Sequence, residues 1–105
     1  MDIVKRFGAN AEVVGDTLSI QLSDLTTVGL DSATPTADQI FAALVLLNLT
    51  NQPSNAADDS TIGVTVEAGF KSFLDRNNVT QLERQYTVAI YTPDTTGDID
   101  PDDVV

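Results

Sequence analysis

The fold is decided by the stretch from Phe70 to Tyr91, which has the sequence FKSFLDRNNVTQLERQYTVAIY. From Val79 to Tyr91 apolar and polar side chains alternate, which is typical of a strand with one buried face. Because successive side chains of a strand point to opposite faces, one face is predicted to carry Leu82, Arg84, Tyr86, Val88 and Ile90. The apolar members of this set, Leu82, Tyr86, Val88 and Ile90, are predicted to be buried in the core.

The residues that precede this strand complete a hairpin. Asp75 to Asn78 predict a turn, because Asn tolerates positive φ better than other non-glycine residues. The hairpin is therefore predicted to pair Phe70–Leu74 with Val79–Glu83. Farther upstream, Thr61–Val66 alternates as a further strand, and Gly69 permits a bulge or bend between the two segments.

The amino-terminal third predicts less regular structure. Glu12 to Val14 form a short strand, followed by a turn at Gly15 and Asp16. Thr17–Leu22 alternates cleanly and predicts a half-buried strand. Ser23–Pro35, which contains Gly29, predicts a loop.

One helix is predicted, from Ala37 to Thr50. Thr36 and Gln39 have the spacing of a capping box, in which each side chain bonds the backbone amide of the other residue. The alternative for Leu44–Leu49 is a short buried strand. The helix is apolar nearly all round, so it must be covered on most sides. Either the sheet and loops of the same chain cover it, or a second chain completes its burial.

Strands, one helix and further strands, in that order, predict an α+β fold: a small antiparallel β-sheet or sandwich with one apolar helix packed on it and extended termini. Residues 1–105 are predicted to form a single domain, in which Asn51–Ser60 is a polar connector. Residues 1–10 are expected to form an N-terminal arm and residues 92–105 an acidic C-terminal tail. Folding is expected to survive deletion of Met1–Phe7 or of Thr92–Val105.

Composition excludes several classes of function. The 105 residues include no Cys and no His and carry a formal net charge of −11, while 42% are hydrophobic. Disulfides, Cys/His zinc sites and Ser-His-Asp triads are thereby excluded, and we predict no enzymatic activity, no catalytic residue and no cofactor. The negative charge disfavours nucleic acids and anionic membranes as partners. Residues 1–10 lack the apolar run of a secretory signal, so a cytoplasmic or virion location is expected.

The acidic tail is the one segment that suggests a metal. Alternating Asp residues from Asp98 to Asp103 offer oxygen ligands of the kind that Ca²⁺ prefers. However, Gly97 precedes the cluster, and no Glu follows it as an EF-hand loop requires. We therefore predict a solvated tail without a metal site. A calcium-dependent binding module stays open as an alternative function, as does an acidic inhibitor that mimics DNA.

The two ends differ in charge and both have apolar tips. The amino terminus combines Lys5 and Arg6 with apolar side chains, whereas the charged residues of 92–105 are all Asp. Ends of this kind suit docking onto neighbouring subunits, where opposite charges set the register; the competing interpretation is two frayed termini. The candidate interaction residues are Ile3, Val4, Lys5, Arg6, Phe7, Asp98, Asp100, Asp102, Asp103, Val104 and Val105.

The chain as a whole resembles the accessory virion proteins of tailed bacteriophages, particularly capsid cement or decoration proteins. The resemblance lies in its small size, its acidity and its strand-rich pattern, and in the segment from Phe70 to Phe73 with the turn and long strand that follow. It implies a non-enzymatic structural protein that binds and bridges subunits of an assembly. The implied partner is a protein lattice such as a major capsid protein, with the chain itself a homo-oligomer.

Overall fold

The computed structural model describes residues 1–94 and 97–105, and it confirms the α+β class. Two compact units are present, residues 1–56 and residues 57–105, and they are described in turn. Each unit contains one two-stranded antiparallel sheet. The assignment of residues 1–105 to a single domain stays a prediction.

The first unit contains two α-helices, α1 (Ile3–Phe7) and α2 (Ala37–Asn51). The capping box of α2 is confirmed. The Thr36 hydroxyl accepts from the Gln39 amide at 3.1 Å, and the Gln39 side-chain oxygen accepts from the Thr36 amide at 2.9 Å. The predicted extended conformation of the amino terminus is wrong, because Asp2 caps α1 and the following residues are helical.

Strands β1 (Glu12–Val14) and β2 (Thr17–Ser19) form a small hairpin in the first unit. The turn predicted at Gly15 is confirmed, with φ of 61° at that glycine. The prediction of a half-buried strand as far as Leu22 is wrong. All residues of β2 are exposed, and Leu22 begins the next helix.

The segment predicted as a loop contains a 3-10 helix, Leu22–Val28. Its central residue Leu25 is fully buried. The apolar residues Leu22, Leu25 and Val28 are spaced by three, which matches the three residues per turn of a 3-10 helix. Around Leu25 the core of the first unit consists of Ala43 and Leu47, with Val28, Leu30, Ile40 and Leu44 packed against them.

Within its own unit, α2 packs against α1 and against the 3-10 helix. Buried side chains lie at Ala43 and Leu47, whereas Phe41 is 70% exposed. The surface around Phe41 therefore stays apolar and open to solvent. The packing of this helix on a sheet stays a prediction.

The second unit is built on a long hairpin, β3 (Val64–Arg76) and β4 (Val79–Ile90). A short 3-10 turn, Ala56–Asp58, lies in the predicted connector. The two predicted segments pair, with Phe73 opposite Leu82, but Asp75 and Arg76 belong to β3, so the turn is shorter than predicted. The register shifts between Ala68 and Lys71, where Gly69 predicts a bulge. Asn77 and Asn78 have φ of 51° and 63°, and positive φ at both central residues is the signature of a type I′ turn.

The prediction of which residues share the apolar face of β4 is confirmed, but the prediction that this face is buried is wrong. Val88 lies directly opposite Val66, so the face runs across both strands. However, Val88 is 51% exposed and Ile90 is 50% exposed, and Leu82 is also exposed. Among the described residues, β3 and β4 form a sheet of two strands. Among the described residues of this unit, the buried apolar side chains are Ile62 and Val66.

The two valines of this cross-strand pair provide a direct test of burial. Val66→Ala should lower the free energy of unfolding by about 1.5–3 kcal/mol, because Val66 is 4% exposed and its methyl groups are fully desolvated. Val88→Ala should lower the free energy of unfolding by less than about 1 kcal/mol when the chain is in dilute solution. Urea denaturation followed by circular dichroism measures both. Equal losses would show that the face is covered at both positions.

Candidate interaction surfaces

The amino-terminal candidates Ile3, Val4, Lys5, Arg6 and Phe7 lie together on α1. Their helix is bound to α2 by polar contacts. The guanidinium of Arg6 donates to the Asn48 side-chain oxygen at 2.9 Å, and the Asn48 amide donates back to the Arg6 carbonyl at 3.0 Å. Asn51 donates to the Lys5 carbonyl at 2.9 Å. Partial burial lowers the pKa of Arg6 below its usual value. The basic end is therefore engaged within its own unit.

The loop after α1 is also held in place. Asp24, on the 3-10 helix, accepts from the backbone and side-chain amides of Asn10 at 2.8 and 2.9 Å. Gly8 has φ of 116°, and a side chain at this position would approach the β-carbon of Asp24 to 2.8 Å. Glycine is thus required twice over, by conformation and by space. Residues 1–10 are therefore part of the first unit, whereas the expectation that folding survives deletion of Met1–Phe7 stays a prediction.

Removing the amide of Asn48 tests this attachment. Asn48→Ala should lower the free energy of unfolding by about 1–2 kcal/mol, because it leaves the Arg6 carbonyl and guanidinium without these partners. Thr50→Ala, at an exposed position of the same helix, is the matched control and should change it by less than about 0.5 kcal/mol. Chemical denaturation of both variants decides the matter. If Asn48→Ala left the free energy of unfolding unchanged, α1 would contribute nothing to folding.

The acidic candidates Asp98, Asp100, Asp102 and Asp103 are all exposed. The Asp100 carboxylate accepts from the Asp102 amide at 3.0 Å and thereby caps a 3-10 turn, Pro101–Asp103. Residues 95 and 96 of the predicted tail lie outside the described residues. Within residues 1–94 and 97–105, no three acidic side chains are grouped as a metal site would require.

The last two candidates, Val104 and Val105, are held at the base of the hairpin. The Val105 amide donates to the Tyr91 carbonyl at 3.1 Å, and the Tyr91 amide donates to the Gly63 carbonyl at 2.9 Å. Gly63 lies so close to the chain end that a side chain there would collide with the Val105 carbonyl. The predicted extended conformation of residues 92–105 is wrong at Pro101–Asp103, which form a 3-10 turn, and the end of the tail is hydrogen-bonded within the second unit.

This close approach leads to a coupled prediction. Gly63→Ala should lower the free energy of unfolding by about 1–3 kcal/mol, because the new methyl group displaces the chain end. In a chain that ends at Asp103, the same substitution should cost less than half as much. Denaturation of the four proteins of this cycle measures the coupling. Equal costs in both backgrounds would mean that the end of the chain does not contact Gly63.

The most exposed apolar surface is one that sequence analysis assigned to the core. We call it the hairpin face. It combines the cross-strand pairs that share one side of the sheet: Val64, Val66, Ala68, Lys71, Phe73 and Asp75 on β3, and Thr80, Leu82, Arg84, Tyr86, Val88 and Ile90 on β4. Phe73 is 78% exposed, and Phe70, at the register shift, is 83% exposed. The alternating pattern identified this face, but alternation does not say what covers it.

Charge is distributed unevenly along the chain. From Val64 to Ile90 the hairpin contains three acidic and three basic residues, so the net charge of −11 belongs to the remainder. On the hairpin face Lys71 lies directly opposite Arg84. Like charges in such a pair destabilise a sheet. A partner that brings carboxylates or aromatic rings to this position would relieve the repulsion.

Comparison with known proteins adds no relative. No family model, no curated protein and no solved structure matches the chain. Among the described residues, no helix is long and apolar enough to cross a membrane.

Proposed function

We propose that the chain is a non-enzymatic structural protein that binds and bridges subunits of a protein assembly, as a capsid cement or decoration protein or another minor virion protein does. The observation that supports this proposal is the open hairpin face, with Phe73 78% exposed and Val88 51% exposed. A two-stranded sheet is marginally stable by itself. A partner surface would supply the missing apolar layer, and binding would then stabilise both.

The chemistry of the hairpin face defines the partner surface. Phe73 and Leu82 form a cross-strand pair and would act as apolar anchors. Lys71 and Arg84 form a cross-strand pair two positions closer to the base of the hairpin. Their charged groups would meet carboxylates of the partner at the rim of the contact. The partner is accordingly a protein surface with an apolar depression and acidic groups beside it, such as a lattice of major capsid subunits. Assembly on a virion in the host cytoplasm is the corresponding location.

The alternative of a DNA mimic has less support. A mimic must present carboxylates in regular order along a rigid face, because it replaces a phosphate backbone of high charge density. The longest regular element of the chain is the β3–β4 hairpin, and its acidic and basic residues are equal in number. The carboxylates of Asp100 and Asp24 form hydrogen bonds within the chain.

Two exposed phenylalanines allow a controlled test of the hairpin face. Phe73→Ser should weaken binding of the full chain to particles by about tenfold or more, because it removes the most exposed anchor of the face. Phe41→Ser, at a position 70% exposed on α2, is the matched control and should leave binding unchanged. Both are measured by co-sedimentation with particles purified from the cells that make this protein and stripped of the chain. Circular dichroism of the unbound variants confirms that each is folded.

Two results would contradict the proposal. Equal binding of the wild type and Phe73→Ser would show that the hairpin face is not the contact surface. Absence of the chain from density-banded particles before stripping would contradict the virion assignment. A constant ratio of the chain to the main shell protein across independent preparations is the expected result.

A further inference from the structure

The two long edges of the hairpin differ. The edge of β3 is interrupted by the register shift between Ala68 and Lys71, which blunts it. The edge of β4 runs from Val79 to Ile90 without a proline, a glycine or a shift. A long regular edge with unpaired backbone groups is a template for another strand, and proteins usually protect such edges. Among the described residues, β4 pairs with β3 alone.

The backbone groups that β4 directs outward can be assigned. The Tyr91 amide donates to Gly63, across the hairpin. In an antiparallel pair, alternate residues direct both backbone groups toward the partner strand. The odd-numbered residues of β4 therefore face β3. The even-numbered residues present their N–H and C=O groups at the outer edge: Thr80, Leu82, Arg84, Tyr86, Val88 and Ile90.

We propose that this edge pairs antiparallel with β4 of a second copy of the chain, about a two-fold axis at Gln85. The inference rests on the proposed function, since it supplies the homo-oligomer that bridges the assembly. The pairing produces a four-stranded sheet in the order β3, β4, β4 and β3. Three or more strands with an apolar face are what an independent sheet needs. The hairpin face of each copy then forms half of one larger surface.

The shared face and the charged residues of β4 together determine the register of the pairing. Residues directly opposite each other in antiparallel strands share a face, so the axis must pass through a residue and not between two. Because β4 spans Val79–Ile90, axes at Arg84 or Gln85 give nearly full overlap. An axis at Arg84 would oppose two arginines. An axis at Gln85 places Arg84 opposite Tyr86 of the second copy, a cation–π pair, and Leu82 opposite Val88 of the second copy.

Net charge does not oppose this contact. The hairpin has equal numbers of acidic and basic residues, so no net charge enters the interface. Gln85 is an odd-numbered residue, and its two copies would form a pair that is not hydrogen-bonded, with α-carbons about 4.5 Å apart. This separation lies within the range that a disulfide spans.

Cysteine cross-linking of the full chain tests the register, since the chain has no Cys of its own. Gln85→Cys should convert most of the chain to a covalent dimer under mild oxidation, as seen on a non-reducing gel. Ser72→Cys, an exposed position on the polar side of β3, is the control. Its two copies would be about 14 Å apart across the sheet, which is three strand spacings, and about 13 Å apart along the strands, so it should give at least tenfold less dimer. Equal cross-linking of the two variants would overturn the proposed register.

Amide hydrogen exchange of the wild-type chain, resolved by NMR, tests the same edge without a mutation. The amides of Leu82, Arg84, Tyr86 and Val88 should become at least tenfold more protected as concentration rises through the dimerisation range. The amides of Gln81, Glu83, Thr87 and Ala89 face their partners on β3 and should be protected at all concentrations, which makes them an internal control. Protection of the even-numbered amides that does not change with concentration, or a chain that stays monomeric, would overturn the inference. Loss of particle binding in Phe73→Ser would still support the proposed function in that case.

Discussion

A two-stranded sheet cannot cover its own faces, and the second unit of this chain is subject to that constraint. The strands β3 and β4 satisfy each other's backbone groups, but they provide a single layer. Among the described residues of this unit, the buried apolar side chains are Ile62 and Val66, which lie at the base of the hairpin. There the carboxyl-terminal residues approach Gly63, while the distal half, with Phe73, stays apolar and uncovered. The exposed surface, the open edge and the fixed tail all follow from this lack of a second layer.

The features that the sequence predicts correctly depend on residues close together in the chain. The capping box needs only Thr36 and Gln39. The type I′ turn needs two adjacent asparagines that accept positive φ, and the turn then sets the register of the strands beside it. Gly69 marks the register shift for a similarly local reason. Local geometry of this kind is encoded within a few residues, so it can be predicted from one sequence.

The errors come from contacts between distant residues. Arg6 and Asn48 are 42 positions apart, and nothing in the basic amino terminus indicates that an asparagine on α2 will bind it. Val105 bonds Tyr91 in the same unforeseen way. The alternation of β4 shows which side chains share a face. However, a half-exposed apolar face has the same alternating pattern in the sequence as a face buried in the core. Among the features predicted wrongly, only the 3-10 helix has a signal in the sequence, which is the three-residue spacing of Leu22, Leu25 and Val28.

The separation of charge has a consequence for how such a chain is stored. Molecules with a net charge of −11 repel one another over the Debye length, about 8 Å at physiological salt, and this repulsion slows random encounters. The neutral hairpin is the one long element that contributes nothing to the repulsion. An encounter between two hairpins therefore brings together segments without net charge, whereas an encounter between acidic segments does not. The acidic remainder thus opposes random association of a chain that exposes apolar side chains such as Phe73.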